Sequence, residues 1–240
     1  MKAALLPTGG FEGADEALEA ARACVEGARA AGTDLICLPH LSFAPYFPAR
    51  RDRGALELAE RPPSAAYRSV LEVAGSAWVF ASSYESEGEG VFYVTARLGR
   101  AGETAASYRQ VRVEAAPGRF EQMFWSPGHS GYSLAVLPGG HAGLLVGADA
   151  RVPEAYSELA RLGARMVVGG VSEDEEGWAK TRRISAGMAA AHGLSVLLVN
   201  RQGREGGVVF PGGTLATDAT GEEIPPGPDG LYELDDGGRG

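Results

Sequence analysis

The stretch LLVGADARVPE, Leu144 to Glu154, joins a buried apolar strand to the start of a helix through a sharp turn at Gly147. In many hydrolases such a strand-to-helix turn presents the attacking side chain. Here the turn carries glycine, which has no attacking atom. Acyl transfer also needs a base and a group that steadies the developing negative charge. The chain has two cysteines, Cys24 and Cys37, and His40 follows Cys37 by three positions. In an extended strand residues alternate sides, so Cys37 and His40 are expected to face apart and to form no dyad. Ser42 and Ser172 have no evident base partner and read as turn residues. His129, His141 and His192 are scattered without metal-ligand spacing, so no metal is expected. No cofactor motif is evident either.

The elements that would position these groups follow from the apolar pattern. Strands are expected at Ala3–Leu6, Asp34–Leu38 and Trp78–Ser82, with an acidic turn at Ser86–Gly90. A hairpin is expected from Val91–Leu98 and Ala105–Tyr108. Further strands are expected at Tyr132–Leu137, Ala142–Val146, Met166–Val168, Ser195–Val199, Val208–Phe210, Thr214–Thr217 and Leu231–Leu234. Helices are expected over Ala14–Ala31, which Gly32 ends, and over Ser64–Ala74, Pro153–Leu162 and Trp178–His192. Residues 43 to 54 and 114 to 131 read as long loops, the second kept ordered by Phe120, Phe124 and Trp125. Alternating helices and strands, with consecutive strands in the last third, indicate a layered α/β fold with mixed sheets. There is no internal repeat or linker. One domain over residues 1–234 is expected, with residues 235–240, DDGGRG, as a disordered tail.

The 240 residues carry 22 Lys and Arg against 31 Asp and Glu, a formal net charge of −9. That balance argues against nucleic acid or an anionic membrane as the main partner, since both need a basic face. No apolar run approaches a membrane span, and the opening MKAALLP is too short for a signal peptide. A cytoplasmic location is expected, with both cysteines reduced and acting as small core hydrophobes.

Four segments, in order, resemble the nitrilase superfamily of carbon–nitrogen hydrolases. GTDLICLPH is similar to that family's strand ending in Pro-Glu, and YRQVRV to its Tyr-Arg-Lys-x-His-Leu. RFEQMFWSPG is similar to its glutamate-containing loop ending in Pro-Gly, and VGADARVPE to its Ile-Cys-Tyr-Asp-x-Arg-Phe-Pro-Glu. LGARMVV, VNRQG and FPGGTLATDATGEE extend the likeness over nearly the whole chain, about residues 2 to 234.

The resemblance implies a four-layer α-β-β-α sandwich of two mixed sheets and a homodimer built on the last two helices. It also places the catalytic positions. The family's glutamate base falls at His40, its lysine at Gln110 and its cysteine nucleophile at Gly147. All three depart. Glu121 matches a second glutamate, and Asp149, Arg151, Pro153 and Glu154 match residues that follow the nucleophile; Ala148 and Asp149 sit beside it, with Arg151, as supports of the pocket. Removing a nucleophile from an acyl-transfer site costs on the order of 10⁶ in turnover. The expected function is therefore that of a catalytically degenerate member that binds a small ligand or regulates a partner. The alternatives are an amide hydrolase using other residues and a structural subunit of a larger assembly. If His40 and Glu121 lie within ~6 Å, each favours the other's charged form and His40 titrates above its ordinary value. Space left by the missing cysteine side chain would then suit a small neutral or zwitterionic molecule.

Overall fold

The computed structural model describes residues 1–234; the tail expected from Asp235 lies outside the described residues. The chain runs β1 (Lys2–Leu5), α1 (Ala14–Ala30), β2 (Leu35–Cys37), α2 (Ala65–Ala74), β3 (Trp78–Gly88), β4 (Val91–Arg100) and β5 (Glu103–Arg109). After a long irregular excursion come β6 (Leu134–Leu137), β7 (Gly140–Val146), α3 (Pro153–Arg161), β8 (Ala164–Val171), α4 (Glu175–His192) and β9 (Ser195–Asn200). The short strands β10 (Gln202–Glu205), β11 (Val208–Pro211), β12 (Thr214–Thr217) and β13 (Tyr232–Glu233) follow.

Six strands form one sheet in the order β13-β1-β2-β3-β4-β5, and five form a second in the order β12-β9-β8-β7-β6. Each is mixed. β1, β2 and β3 are parallel, as are β7, β8 and β9, and the flanking strands run antiparallel. Period-2 alternation sends one set of side chains to each face. Leu35, Cys37, Phe80, Val94 and Leu98 of the first sheet meet Leu144, Val146, Val168, Leu197 and Val199 of the second in one inter-sheet core. The opposite faces are covered by helices. Ile36, Leu38, Val79 and Ala81 pack on α1 and α2, and Leu145, Val167, Val196 and Leu198 pack on α3 and α4. This is the α-β-β-α sandwich the resemblance implies.

The helices obey local signals. Ser64 caps α2 by accepting from Tyr67 N–H, and Asp174 caps α4 by accepting from Gly177 N–H. Pro153 opens α3 at a position where its missing N–H costs nothing. Strands differ from expectation in length. β3 continues through Ser86 to Gly88, so the acidic turn shrinks to Glu89–Gly90. β8 reaches from Ala164 to Val171 because both its neighbours pair with it along that length.

The ribbon β10–β11 is anchored by one buried ion pair. Arg201 is fully buried and bonds Glu205 through Nε (2.7 Å) and an Nη (3.0 Å). The same guanidinium donates to the carbonyls of His40 (2.8 Å), Leu41 (3.1 Å) and Ala44 (2.6 Å). Glu205 in turn accepts from the backbone N–H groups of Gly10 (2.7 Å), Phe11 (2.9 Å) and Tyr46 (2.5 Å). Removing one member of such a pair leaves a buried charge uncompensated, at a cost of about 3–5 kcal/mol. Glu205→Ala is therefore expected to lower the urea-unfolding free energy by that amount. Glu223→Ala, which breaks the exposed pair with Arg182, is expected to change it by less than about 1 kcal/mol.

Candidate active site

β2, β5, the excursion after β5 and the turn after β7 converge at one end of the inter-sheet core. They bring His40, Gln110, Glu121 and Gly147 to the same place, as the resemblance implies. His40, Gln110 and Glu121 are 0%, 0% and 2% exposed, and Gly147 is buried too.

Glu121 sits on a short 3-10 turn, Glu121–Met123. It accepts from Tyr46 Oη, Gln110 Nε2 and Glu114 N–H, each at 3.1 Å. Burial nevertheless raises its pKa to about 8, more than these bonds lower it. The carboxyl thus holds a proton more readily than an ordinary glutamate.

Gln110 Nε2 also donates to the carbonyl of Arg112 at 2.7 Å. The amide lies directly over the turn. A methyl group placed on Gly147 would stand 2.8 Å from Gln110 Nε2, 3.0 Å from Cδ and 3.1 Å from Oε1. Gly147 also has φ +56°, a left-handed conformation that glycine adopts without a Cβ penalty. The Gln110 amide thus fills the space that the missing side chain was expected to leave open.

His40 packs edge-on against Trp125 and Tyr46, with ring centroids 5.9 and 6.2 Å away. Neither ring nitrogen has a hydrogen-bond partner. The Gln110 amide is turned toward the ring and favours its charged form, but its Oε1 completes no bond. Burial and then the Arg201 guanidinium lower the His40 pKa to about 3. This reverses the expected rise. The charges that act on the ring are the cations Arg201 and Arg119.

The supporting residues form a separate scaffold. Asp149 accepts from Val111 N–H (2.8 Å), Arg112 N–H (2.6 Å) and Tyr108 Oη (3.2 Å). Tyr108 accepts from Val146 N–H at 2.5 Å, so Asp149 fastens the end of β5 to the turn. Burial raises the Asp149 pKa to about 6 despite those bonds. Arg151 pairs with Glu114 and lies 3.4 Å from Glu173. Arg119 bonds Glu114 (3.2 Å), Glu173 (2.9 Å) and the Ser172 carbonyl (2.8 Å). Ala148 is buried beside Gly147.

No relocated nucleophile reaches His40. Cys37 ends its strand, so the alternation argument does not extend to His40. Cys37 in fact points into the inter-sheet core that also holds Tyr46 and Trp125. Their separation rests instead on the absence of any bond to the ring nitrogens, and burial pushes the Cys37 thiol well up, away from thiolate. Ser42 Oγ donates to the Pro39 carbonyl (2.6 Å) and accepts from Ser82 N–H (3.0 Å), a turn role. Ser172 Oγ faces the His40 carbonyl at 3.5 Å, not the ring. Among the described residues no group of three or more His, Cys, Asp or Glu is placed to hold a metal ion.

This fold and this clustering are joined by a direct match: the sequence pattern of the carbon-nitrogen hydrolase family fits residues 9–229. The chain belongs to the carbon–nitrogen hydrolase family. A citrullinase from Francisella tularensis subsp. tularensis is 24% identical over 210 residues, covering 80% of this chain and 72% of that one. A carbon-nitrogen hydrolase from Helicobacter pylori G27 has a TM-score of 0.85 at 23% identity, covering 93% of this chain and 84% of the other. An amidase mutant from Nesterenkonia sp. AN1, showing the result of Michael addition of acrylamide at the active site cysteine, has a TM-score of 0.82 at 24% identity, covering 93% and 87%.

The residues that the sequence alone did not single out are Tyr46, Arg119, Glu173, Arg201 and Glu205. VNRQG was visible as a motif, but not that its arginine would bond the backbone beside His40.

Two outcomes are expected. Gly147→Ala should destabilise the protein by about 2–4 kcal/mol, from left-handed strain plus overpacking against Gln110. Combining it with Gln110→Ala should return about 1 kcal/mol or more, seen as non-additivity in urea unfolding. In an NMR titration, the His40 ring signals should not show the large shift of imidazole protonation between pH 5 and 8. Because the folded-state pKa of about 3 lies below the ordinary value, stability contributed by neutral His40 is complete above about pH 6.5 and is lost as pH falls toward 3.

Proposed function

We propose that this member of the carbon–nitrogen hydrolase family has exchanged turnover for binding. The observation that carries the reading is the Gln110 amide lying over Gly147 where a nucleophile's Cβ would stand. The His40 ring supports it, since burial keeps the imidazole neutral where the family's base is expected to fall. The missing side chain at Gly147 alone removes the covalent step of the family route.

What remains is hydrogen-bonding capacity. Both His40 ring nitrogens, Gln110 Oε1 and Trp125 Nε1 complete no hydrogen bond of good geometry, although Gln110 lies near enough to His40 to act on it as a partner. Buried polar atoms left unpaired are costly and are commonly met by water or a ligand. These atoms supply donors and acceptors but no net charge. A molecule that met them would be small, neutral and polar, and it would have to displace the Gln110 amide that lies over Gly147. A zwitterion is disfavoured, because the site offers it no counter-charge. The competing reading, hydrolysis by residues outside the family set, takes encouragement from the named relatives, a citrullinase and an amidase. It lacks a nucleophile bonded to the one histidine in the site.

Ammonia release from citrulline, simple amides, nitriles and N-carbamoyl compounds is expected to stay at the buffer level. Turnover abolished by Cys37→Ala or by His40→Ala would overturn the proposal in favour of a relocated mechanism.

A further inference from the structure

A cavity lies on the face of the first sheet that α1 and α2 cover. Its volume is about 110 Å³, and its walls include Leu18, Leu41 and Phe43 with Asp15, Glu60 and Ser83. Ser83 alternates along β3 with Val79 and Ala81, which pack on α1 and α2. Its hydroxyl therefore points away from the inter-sheet core and from His40.

The polar atoms in this cavity are specific and incomplete. Ser83 is 3% exposed and its hydroxyl has no partner. Glu60 is held along β3, its N–H donating to the Tyr84 carbonyl (3.0 Å) and its carbonyl accepting from Ser86 N–H (2.8 Å). One carboxylate oxygen, Oε1, accepts from Ala66 N–H at 3.2 Å in the first turn of α2. The other, Oε2, is buried without a partner.

Charge decides the ligand class. Glu60 and Asp15 line the cavity, and no lysine or arginine does. The first turn of α1 reaches the same cavity, but its positive pole is offset by its own Asp15 and Glu16. A buried carboxylate oxygen gains most from a charged donor. The leucine and phenylalanine walls suit a short hydrocarbon. We infer that this cavity is a binding site for a small primary alkylammonium ion, its ammonium group on Glu60 Oε2 and Ser83 Oγ and its alkyl chain against Leu18, Leu41 and Phe43. This inference is independent of the proposed loss of turnover.

The test is calorimetric titration of the intact protein with n-propylammonium, with 1-propanol and propionate as neutral and anionic counterparts of similar size. The expected result is saturable binding of n-propylammonium alone. Glu60→Gln, which keeps an oxygen for Ala66 N–H, should weaken it about tenfold or more. Ser83→Ala should weaken it about threefold and, by removing an unpaired hydroxyl, leave thermal stability the same or higher. Amide resonances of Ser83 and Ala66 should shift on titration. Absence of saturable binding, equal binding of 1-propanol, or affinity unchanged in both folded variants would overturn the inference.

Discussion

The buried contact between Arg201 and Glu205 sets the geometry of this end of the sandwich. Segments 8–11 and 40–46 contain no sheet or helix ladder to satisfy their backbone, and buried peptide groups need partners. One guanidinium takes three carbonyls, and one carboxylate takes three N–H groups, from those segments. The pair thereby replaces a missing strand. Its second effect is electrostatic: the fixed positive charge stands beside the His40 backbone and, with burial, keeps the imidazole neutral. An acidic side chain at this position would gain from that same field. Histidine gains instead from edge-on packing with Trp125 and Tyr46.

The departures at His40, Gln110 and Gly147 are mutually consistent. A lysine at position 110 would stand beside Glu121 and form a buried ion pair with it, at a desolvation cost for both charges. Glutamine keeps the hydrogen bond to Glu121 and the one to the Arg112 carbonyl without that charge. Its amide then occupies the volume over Gly147. The retained Glu121 is explained by structure alone: three donors from three different segments converge on it. Its presence is no argument for catalysis.

Much of the fold was legible because burial on one or both faces leaves a period in the sequence. Leu35–Cys37, Ser195–Asn200 and the two long amphipathic helices show it directly. The pattern failed where strands leave the core. Glu85 and Ser86 in β3 are polar, yet backbone pairing with Tyr93 and Phe92 keeps them in the strand. β10 reads as a loop because Gln202, Gly203 and Arg204 are exposed, and its pairing with β11 carries the structure. At the site, the residues singled out in the sequence lie together, but their electrostatics was not legible. Whether His40 is raised by Glu121 or lowered by Arg201 depends on distances between residues up to 161 positions apart. No local spacing encodes that.

Active sites hold strain and unpaired charge because catalysis needs them, and a fold that abandons catalysis can relax both. Under the proposed loss of turnover, the relaxation extends to the backbone, since Gly147 carries φ +56° without a side chain to strain it. It is incomplete for hydrogen bonding. A site under selection for stability alone would have replaced His40 and Gln110 with apolar side chains, since a partly satisfied buried polar network is worse than a dry core. On the proposed reading, the unpaired atoms of His40, Gln110 and Trp125 favour a polar occupant over a purely structural role.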